Sequence, residues 1–378
     1  MLIADGHLDL AWNALQWNRN LLDTVYTIRA TESQGSGPGR ALGTVALPEM
    51  RAGRIALSFA TLLARSTGHV SPHIDYATPY QSYGIAQGQL AYYRALERAG
   101  HIRVITNTAE LNAHMLDWES WESQRIEQPT RGARGLLRAP PLGFVILMEG
   151  ADPIQDPGQL EAWHAAGLRI LGLTHYGVGR YAGGTATDVG LAEACLPLLR
   201  EMERLGIVLD LTHCSDPAFW QALDHYDGPV LASHNNCRSL VPHQRQFSDD
   251  QLRAILSRGG VIGVVLDAWM LQPGWIIGRD NNVLQTQVTL GRVIDHIDHI
   301  CHLAGDARHV AIGSDLDGGF GREASPCDLD TIADLQKLDL LLRQRGYDDA
   351  DVAGILHGNW LRLLRQSWHE RHDAIPPD

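Results

Sequence analysis

The segment Ile3-Ala4-Asp5-Gly6-His7-Leu8-Asp9-Leu10 sets an imidazole and a carboxylate two residues apart. Side chains two apart on a strand share a face, so His7 and Asp9 read as a ligand pair for a divalent cation such as zinc. Alone, such a pair is more often a hydrogen-bonded strand end. The same residue types, however, close one apolar run after another: Glu149 follows 144–148, His175 follows 168–174, His213 follows 207–212, His234 follows 229–233 and Asp315 follows 309–314. That set is large enough for two ions. His7, Asp9 and Asp315 can hold one, His213 and His234 the other, and Glu149 can give one oxygen to each. Two metals about 3.5 to 4 Å apart can share a hydroxide acidic enough to attack at neutral pH.

The elements that must position these residues follow from the same runs. Eight strands are predicted at 2–5, 55–63, 144–148, 168–174, 207–212, 229–233, 261–266 and 309–314. They are short and almost continuously apolar, as parallel strands covered on both faces are. Amphipathic helical patterns at 157–166, 191–205, 217–226 and 249–258 separate them, and three begin with helix-start chemistry: Asp156-Pro157, Asp216-Pro217, and Ser248 before two aspartates. Strand and helix alternating at this length predict a (β/α)8 barrel, whose active site lies at the C-terminal ends of the strands. The candidate ligands fall at that end. At 378 residues the chain exceeds the usual ~250 of the barrel; the surplus maps to insertions at 64–143 and 267–306, and 1–378 reads as one elaborated domain. Gly35-Ser-Gly-Pro-Gly39 is read as a flexible loop between the first two strands, over the site.

Composition narrows the chemistry. The chain has one lysine, Lys337, beyond the last strand. No barrel strand can therefore supply a carboxylated lysine bridge or a Schiff base, and Glu149 has to bridge. A formal net charge of −13 argues against nucleic acid and anionic membranes as partners. No leader-like N-terminus, membrane-length apolar run or apolar tail is evident, the tail 368–378 being polar. With five cysteines lacking paired spacing, the expectation is a cytoplasmic protein with reduced thiols. Cys214, next to His213, is read as a buried structural thiol. His296, His299 and His302 recur three apart on a helix at 290–304 but belong to the outside of the barrel, and His357 to the final helical region. Asp317 is read either as orienting the site or as capping its loop.

Taken together, Asp-Gly-His7-Leu-Asp9-Leu, Glu149-Gly, Leu-Thr-His175, Asp-Leu-Thr-His213, Ser-His234-Asn-Asn and Gly-Ser-Asp315-Leu-Asp-Gly resemble the membrane (renal) dipeptidase family, binuclear zinc peptidases of the amidohydrolase superfamily. The likeness runs nearly the whole chain. It implies two Zn2+ per chain, one on His7, Asp9, Glu149 and Asp315 and one on Glu149, His213 and His234. It further implies that His175 contacts the substrate carbonyl or oxyanion, and that Arg245 holds the terminal carboxylate of a small dipeptide, L at its amino end and L or D at its carboxyl end. A metal-bridging hydroxide would attack, with Asp315 as proton carrier and Glu149 as the alternative; a homodimer is also implied. Two segments depart from the family pattern: leucine stands between His7 and Asp9 with Leu-Ala-Trp12 following, and Tyr176 to Gly184 lacks the usual asparagine. Both should line the mouth, so they bear on substrate choice and leave the metal set intact. The competing readings are another amidohydrolase-type hydrolysis, of an acyl-amino acid, lactone or phosphotriester, and a non-catalytic binding protein. Arg245 speaks against a neutral phosphotriester, and the full ligand set against a decayed site.

Overall fold

The computed structural model describes residues 1–68, 71, 73–127, 139–282 and 287–369. The described residues form nine parallel strands: β1 (Ile3–Leu8), β2 (Ile55–Leu63), β3 (Ile102–Val104), β4 (Leu142–Glu149), β5 (Leu168–Gly172), β6 (Val208–Asp210), β7 (Val230–Leu231), β8 (Ile262–Val264) and β9 (Val310–Ile312). Eight of them run in the order β7-β6-β5-β4-β2-β1-β9-β8. Ala232 bridges Ile262 across the remaining gap, with the Ala232 amide donating to Val261 (3.0 Å) and the Gly263 amide to Ala232 (2.8 Å). The result is the (β/α)8 barrel. Every residue of β2 and β4 is buried, as continuous apolar runs sandwiched between a barrel interior and outer helices must be.

β3 is an addition that the apolar pattern did not reveal. Three residues are too few for a periodicity. It pairs with the first residues of β4, Ile102 opposite Leu142 and Val104 opposite Phe144, whereas β5 joins further along, from Ile146 onward. The extra strand therefore thickens the rim opposite the site. It lies in the expected insertion at 64–143, between the helices Pro79–Arg98 and Thr108–Glu127. The first of these opens with a capping box between Thr78 and Gln81. The second is pinned by His114, whose Nε2 donates to the Ala56 carbonyl at 2.7 Å. Gly143 makes room for that ring, since a Cβ there would stand 2.4 Å from His114 Nε2.

Four local expectations need correction. β6 and β7 are shorter than 207–212 and 229–233, because the buried Asp210 carboxylate takes the amides of Thr212 and Ser233 (both 3.0 Å) that a ladder would otherwise use. Asp9 does not lie on the strand with His7: β1 ends at Leu8, and Asp9 holds the N-cap position of the helix Leu10–Gln16 without capping it. The helix Asp216–Asp224 is capped by Ser215, whose hydroxyl accepts from the Ala218 amide. Asp216 instead pairs with Arg238 at 2.7 Å. The glycine-rich loop, expected over the site, is tied down at Gly39, whose amide donates to Glu323 (2.7 Å) and whose carbonyl accepts from Arg19 (2.7 Å). It borders a neighbouring cavity with Trp17 and Phe320. No helix among the described residues is long and apolar enough to cross a membrane; the tail from residue 370 lies outside them.

Candidate metal centre and active site

The barrel brings all eight predicted site residues to the C-terminal mouth of its strands. Glu149, the last residue of β4, is at the centre. Its Oε2 faces His7 Nε2 at 3.4 Å, and its Oε1 faces Nε2 of His213 (3.4 Å), His234 (3.5 Å) and His175 (3.5 Å). One carboxylate thus splits its oxygens between two groups. On the Oε2 side, Oδ1 atoms of Asp9 and Asp315 each stand 3.8 Å from His7 Nε2. On the Oε1 side, Nε2 of His213 and of His234 face one another at 3.2 Å. Donor atoms of His7, Asp9 and Asp315, of His7, Glu149 and His234, and of Glu149, His175 and His213 lie close enough within each set to share an ion.

The backbone that aims these groups departs from regular strand. His213 and Asp315 adopt positive φ, 66° and 57°, a conformation that costs a non-glycine residue roughly 1 to 3 kcal/mol and collects at functional sites. Buried hydrogen bonds hold the turns in place. Asp5 Oδ1 accepts from the amides of His7 (3.2 Å) and Ser314 (2.8 Å), tying β1 to the β9 end. Asp317, also at positive φ, accepts from Thr44 through its amide (2.7 Å) and hydroxyl (2.8 Å) and from the Val45 amide (3.0 Å). It pins the loop that carries Asp315.

The partners of Nδ1 sort the four histidines into two kinds. Ser233 Oγ lies 2.9 Å from Nδ1 of His234 and 3.3 Å from Nδ1 of His7. Thr185 Oγ1 lies 2.9 Å from Nδ1 of His213 and donates its own proton to the His213 carbonyl. A hydroxyl can accept an Nδ1 proton, which leaves Nε2 with a lone pair directed at Glu149 and a cation. His175 is different. Its Nδ1 meets Arg65 Nη1 at 3.0 Å, and a guanidinium has no acceptor. Nδ1 of His175 must therefore accept, and the proton sits on Nε2, pointing into the site as a donor.

The electrostatics of the cluster favour a cation. Burial opposes a charged His7, yet Glu149 and the two aspartates lift its pKa to about 10. Burial raises Glu149 as well, but His7 and His175 pull it well below the ordinary carboxylate range. Asp9 is pushed up to about 7, by burial and then by Glu149, and Asp315 well above its usual value, chiefly by burial. Burial keeps the other imidazoles neutral: His175 falls to about 3, and His213 and His234 fall well below 6.5. The three carboxylates that raise His7 are the groups a bound cation would meet there. His7 Nε2 and Glu149 Oε2 are buried without a hydrogen-bond partner among the described residues. Oxygen and imidazole donors with unspent lone pairs and ordered Nδ1 partners fit divalent metal cofactors.

Arg245, buried, donates Nη2 to the His234 carbonyl at 3.0 Å and keeps Nη1 without a hydrogen-bond partner among the described residues. It lines the same cavity as Trp12, Tyr176, Asp267 and Trp269. Trp12 and Tyr176 come from the two segments that depart from the family pattern. Asp267, Trp269 and Arg65 were missed from sequence. Asp267 had one signal, its place after the apolar run of β8; Arg65 had none, because its role depends on a contact 110 residues away. The remaining histidines are elsewhere: His296 Nδ1 accepts from the Cys237 amide (3.1 Å) and His299 pairs with Asp249 (2.9 Å). Cys214 is a buried free thiol outside the ligand set.

A parallel barrel with imidazoles and carboxylates gathered around one glutamate at its mouth has the architecture of a metal-dependent hydrolase. The chain belongs to the membrane dipeptidase family, peptidase family M19, whose sequence profile matches residues 1–374. An uncharacterised protein of the pqqA 5′ region of Klebsiella pneumoniae is 33% identical over 238 residues, 61% of this chain and 83% of that one. Mouse dipeptidase 3 is 30% identical over 252 residues, 64% of this chain and 48% of that one. The aligned part spans about half the length of several of the curated dipeptidases it matches. Among solved structures, a dipeptidase of the same family superposes with a TM-score of 0.74 at 25% identity, covering 97% of this chain and 99% of its own. A Rhodobacter sphaeroides metallopeptidase, solved with a phosphinate mimic of L-Ala-D-Ala, gives a TM-score of 0.73 at 24% identity over the same shares.

Proposed function

We propose that the protein is a dipeptidase that hydrolyses the peptide bond of free dipeptides with two zinc ions, one held by His7, Asp9, Glu149 and Asp315 and the other by Glu149, His213 and His234. The observation that carries this reading is the division of the Glu149 oxygens between two ligand groups, with the unpartnered guanidinium edge of Arg245 in the same cavity. When bound, the two cations supply Lewis acidity and a water acidified enough to attack at neutral pH. The chain's own residues do the rest. Arg245 Nη1 takes the substrate carboxylate, a charge-assisted contact that fixes the carboxyl end. That places the scissile carbonyl beside His175, whose Nε2 proton, held there by Arg65, stabilises the developing oxyanion.

Asp315 is the proton carrier: one of its oxygens accepts the proton of the attacking water and delivers it to the leaving amine. Glu149 suits proton transfer less well, because four imidazoles already face its two oxygens, whereas the Asp315 side chain retains 16% exposure toward the cavity. An L-residue at the amino end and an L- or D-residue at the carboxyl end fit a site in which metals and Arg245 fix carbonyl and carboxylate and leave the second side chain to the loops. Cytoplasmic, reduced surroundings remain part of this reading, in keeping with free cysteines at all five positions.

The test is a panel of free L,L- and L,D-dipeptides, N-acetylated dipeptides, tripeptides, lactones and phosphotriesters, assayed with zinc-loaded protein. Free dipeptides should be turned over best. Faster turnover of blocked dipeptides, lactones or phosphotriesters than of every free dipeptide would replace the dipeptidase reading with a broader metal-dependent hydrolase.

A further inference from the structure

Asp267 brings a second, opposite charge to the cavity. It follows β8 on the strand end next to the loop of Arg245, and both line the cavity at the ligand cluster. Asp267 Oδ1 is buried and has no hydrogen-bond partner among the described residues, and Nη1 of Arg245 is equally unpartnered there. The wall therefore offers one unspent donor on a cation and one unspent acceptor on a carboxylate, which do not satisfy each other. A buried carboxylate oxygen without a partner is costly to keep, and a substrate carboxylate arriving at Arg245 meets its repulsion. A substrate that carries its own cation to Asp267 relieves both.

We infer that Asp267 is a specificity residue that receives an ammonium or guanidinium group of the substrate, making the preferred substrates dipeptides with a basic side chain at the carboxyl end. This rests on the dipeptidase reading for the orientation of the substrate, with the carboxylate on Arg245. The neighbours of Asp267 suit such a group, since Trp269 and Tyr176 bound the same cavity and offer aromatic surface to the aliphatic stem of lysine or arginine. Selectivity arises as much from rejection as from attraction, because neutral and acidic side chains leave Oδ1 of Asp267 buried without a partner.

Two substrate pairs distinguish the sources of the cation: Ala-Lys against Ala-norleucine for the side chain, and Ala-Ala against propionyl-Ala for the terminal ammonium. In the zinc-loaded wild type, kcat/KM for Ala-Lys should exceed that for Ala-norleucine roughly tenfold or more, the range of a charge-assisted contact. In Asp267→Asn that ratio should fall to about one. A collapse of the Ala-Ala to propionyl-Ala ratio instead would assign the cation to the amino terminus and overturn the side-chain assignment. A wild-type Ala-Lys to Ala-norleucine ratio near one, or one that Asp267→Asn leaves standing, would overturn the proposal. Calorimetric binding of phosphinate analogues of Ala-Lys and Ala-norleucine gives the same comparison without turnover. If no dipeptide is hydrolysed, the dipeptidase reading fails while the binding ratio still decides the role of Asp267.

Discussion

At the residue scale, the proposed site separates groups assigned to metal from groups assigned to substrate, and substitutions should divide along that line. His234→Ala removes a ligand on the Oε1 side of Glu149 and should lower metal content, with His213→Ala behaving alike. Asp315→Asn keeps an oxygen near His7 but abolishes the proton carrier, so it should depress kcat by roughly 10²-fold or more, in the range of lost general acid-base catalysis, with a smaller loss of metal. Metal analysis beside steady-state kinetics checks this, and equal losses of metal and activity in both variants would remove the distinction. The two arginines should part in a similar way. Arg245→Met should mainly raise KM for dipeptides, by the equivalent of about 1.5 to 3 kcal/mol. Arg65→Met frees Nδ1 of His175 to take the proton and should lower kcat with little change in KM. An unchanged KM in a folded Arg245→Met protein would show that the carboxylate binds elsewhere.

Much of this residue-level picture is legible in the sequence, because metal ligands combine distinctive residue types with a fixed place, the end of an apolar run. His7, Glu149, His213, His234 and Asp315 all carry that signature. What escapes are groups whose role is defined by a partner. Arg65 matters through one nitrogen of His175, Asp5 and Asp210 through backbone amides beyond their own strands, and Asp267 through one oxygen left without a partner. The distinction between His175 and the three ligand histidines likewise becomes visible only at Nδ1.

At the element scale, the insertion that carries β3 is fastened to the barrel by an imidazole that must stay neutral. Burial is the main cause that lowers the His114 pKa to about 4, against 6.5 for the free side chain. Between those values the unfolded chain binds the proton and the folded chain does not, so stability is full above pH 6.5 and declines as pH falls toward 4. From pH 7 to pH 5 this residue alone should remove about 2 kcal/mol. His114→Gln, which can still donate to Ala56, should show a correspondingly shallower pH dependence in urea unfolding; parallel curves for the two proteins would refute the linkage. The sequence pattern located the barrel strands and the helix Leu290–Ala304 but missed β3 and overran the ends of β5 to β9. Long runs are set by burial of their own residues, while three-residue strands and strand ends are set by side chains from elsewhere, as Asp210 shows.

At the scale of the whole molecule, the proposed ligands come from β1, β4, β6, β7 and β9 or the turns just after them, so bound metal would tie five of the eight barrel strands together. Purified protein prepared with excess zinc should carry close to two ions per chain. Removing them with a chelator should lower the Tm by a few degrees and restoring them should reverse the loss, since a ligand at a hundredfold excess over its Kd contributes about 2.7 kcal/mol to the folded state. One ion per chain in the metal-replete protein would defeat the two-metal assignment.

The hydrogen bond from the Ser314 amide to Asp5 joins residues 309 apart in the chain. During synthesis the first strand, with His7 and Asp9 at its end, leaves the ribosome long before their partner Asp315. At about 5 to 20 residues per second, roughly 15 to 60 s separate the two events. Throughout that interval the group of His7, Asp9, Glu149 and Asp315 is incomplete, and β1 has only β2 to lie against. Completion of the group around His7 therefore waits on the arrival of β9, although Glu149, His213 and His234 emerge earlier, and the pair of sites is whole only when the strand before Asp315 closes the ring beside the strand that carries His7.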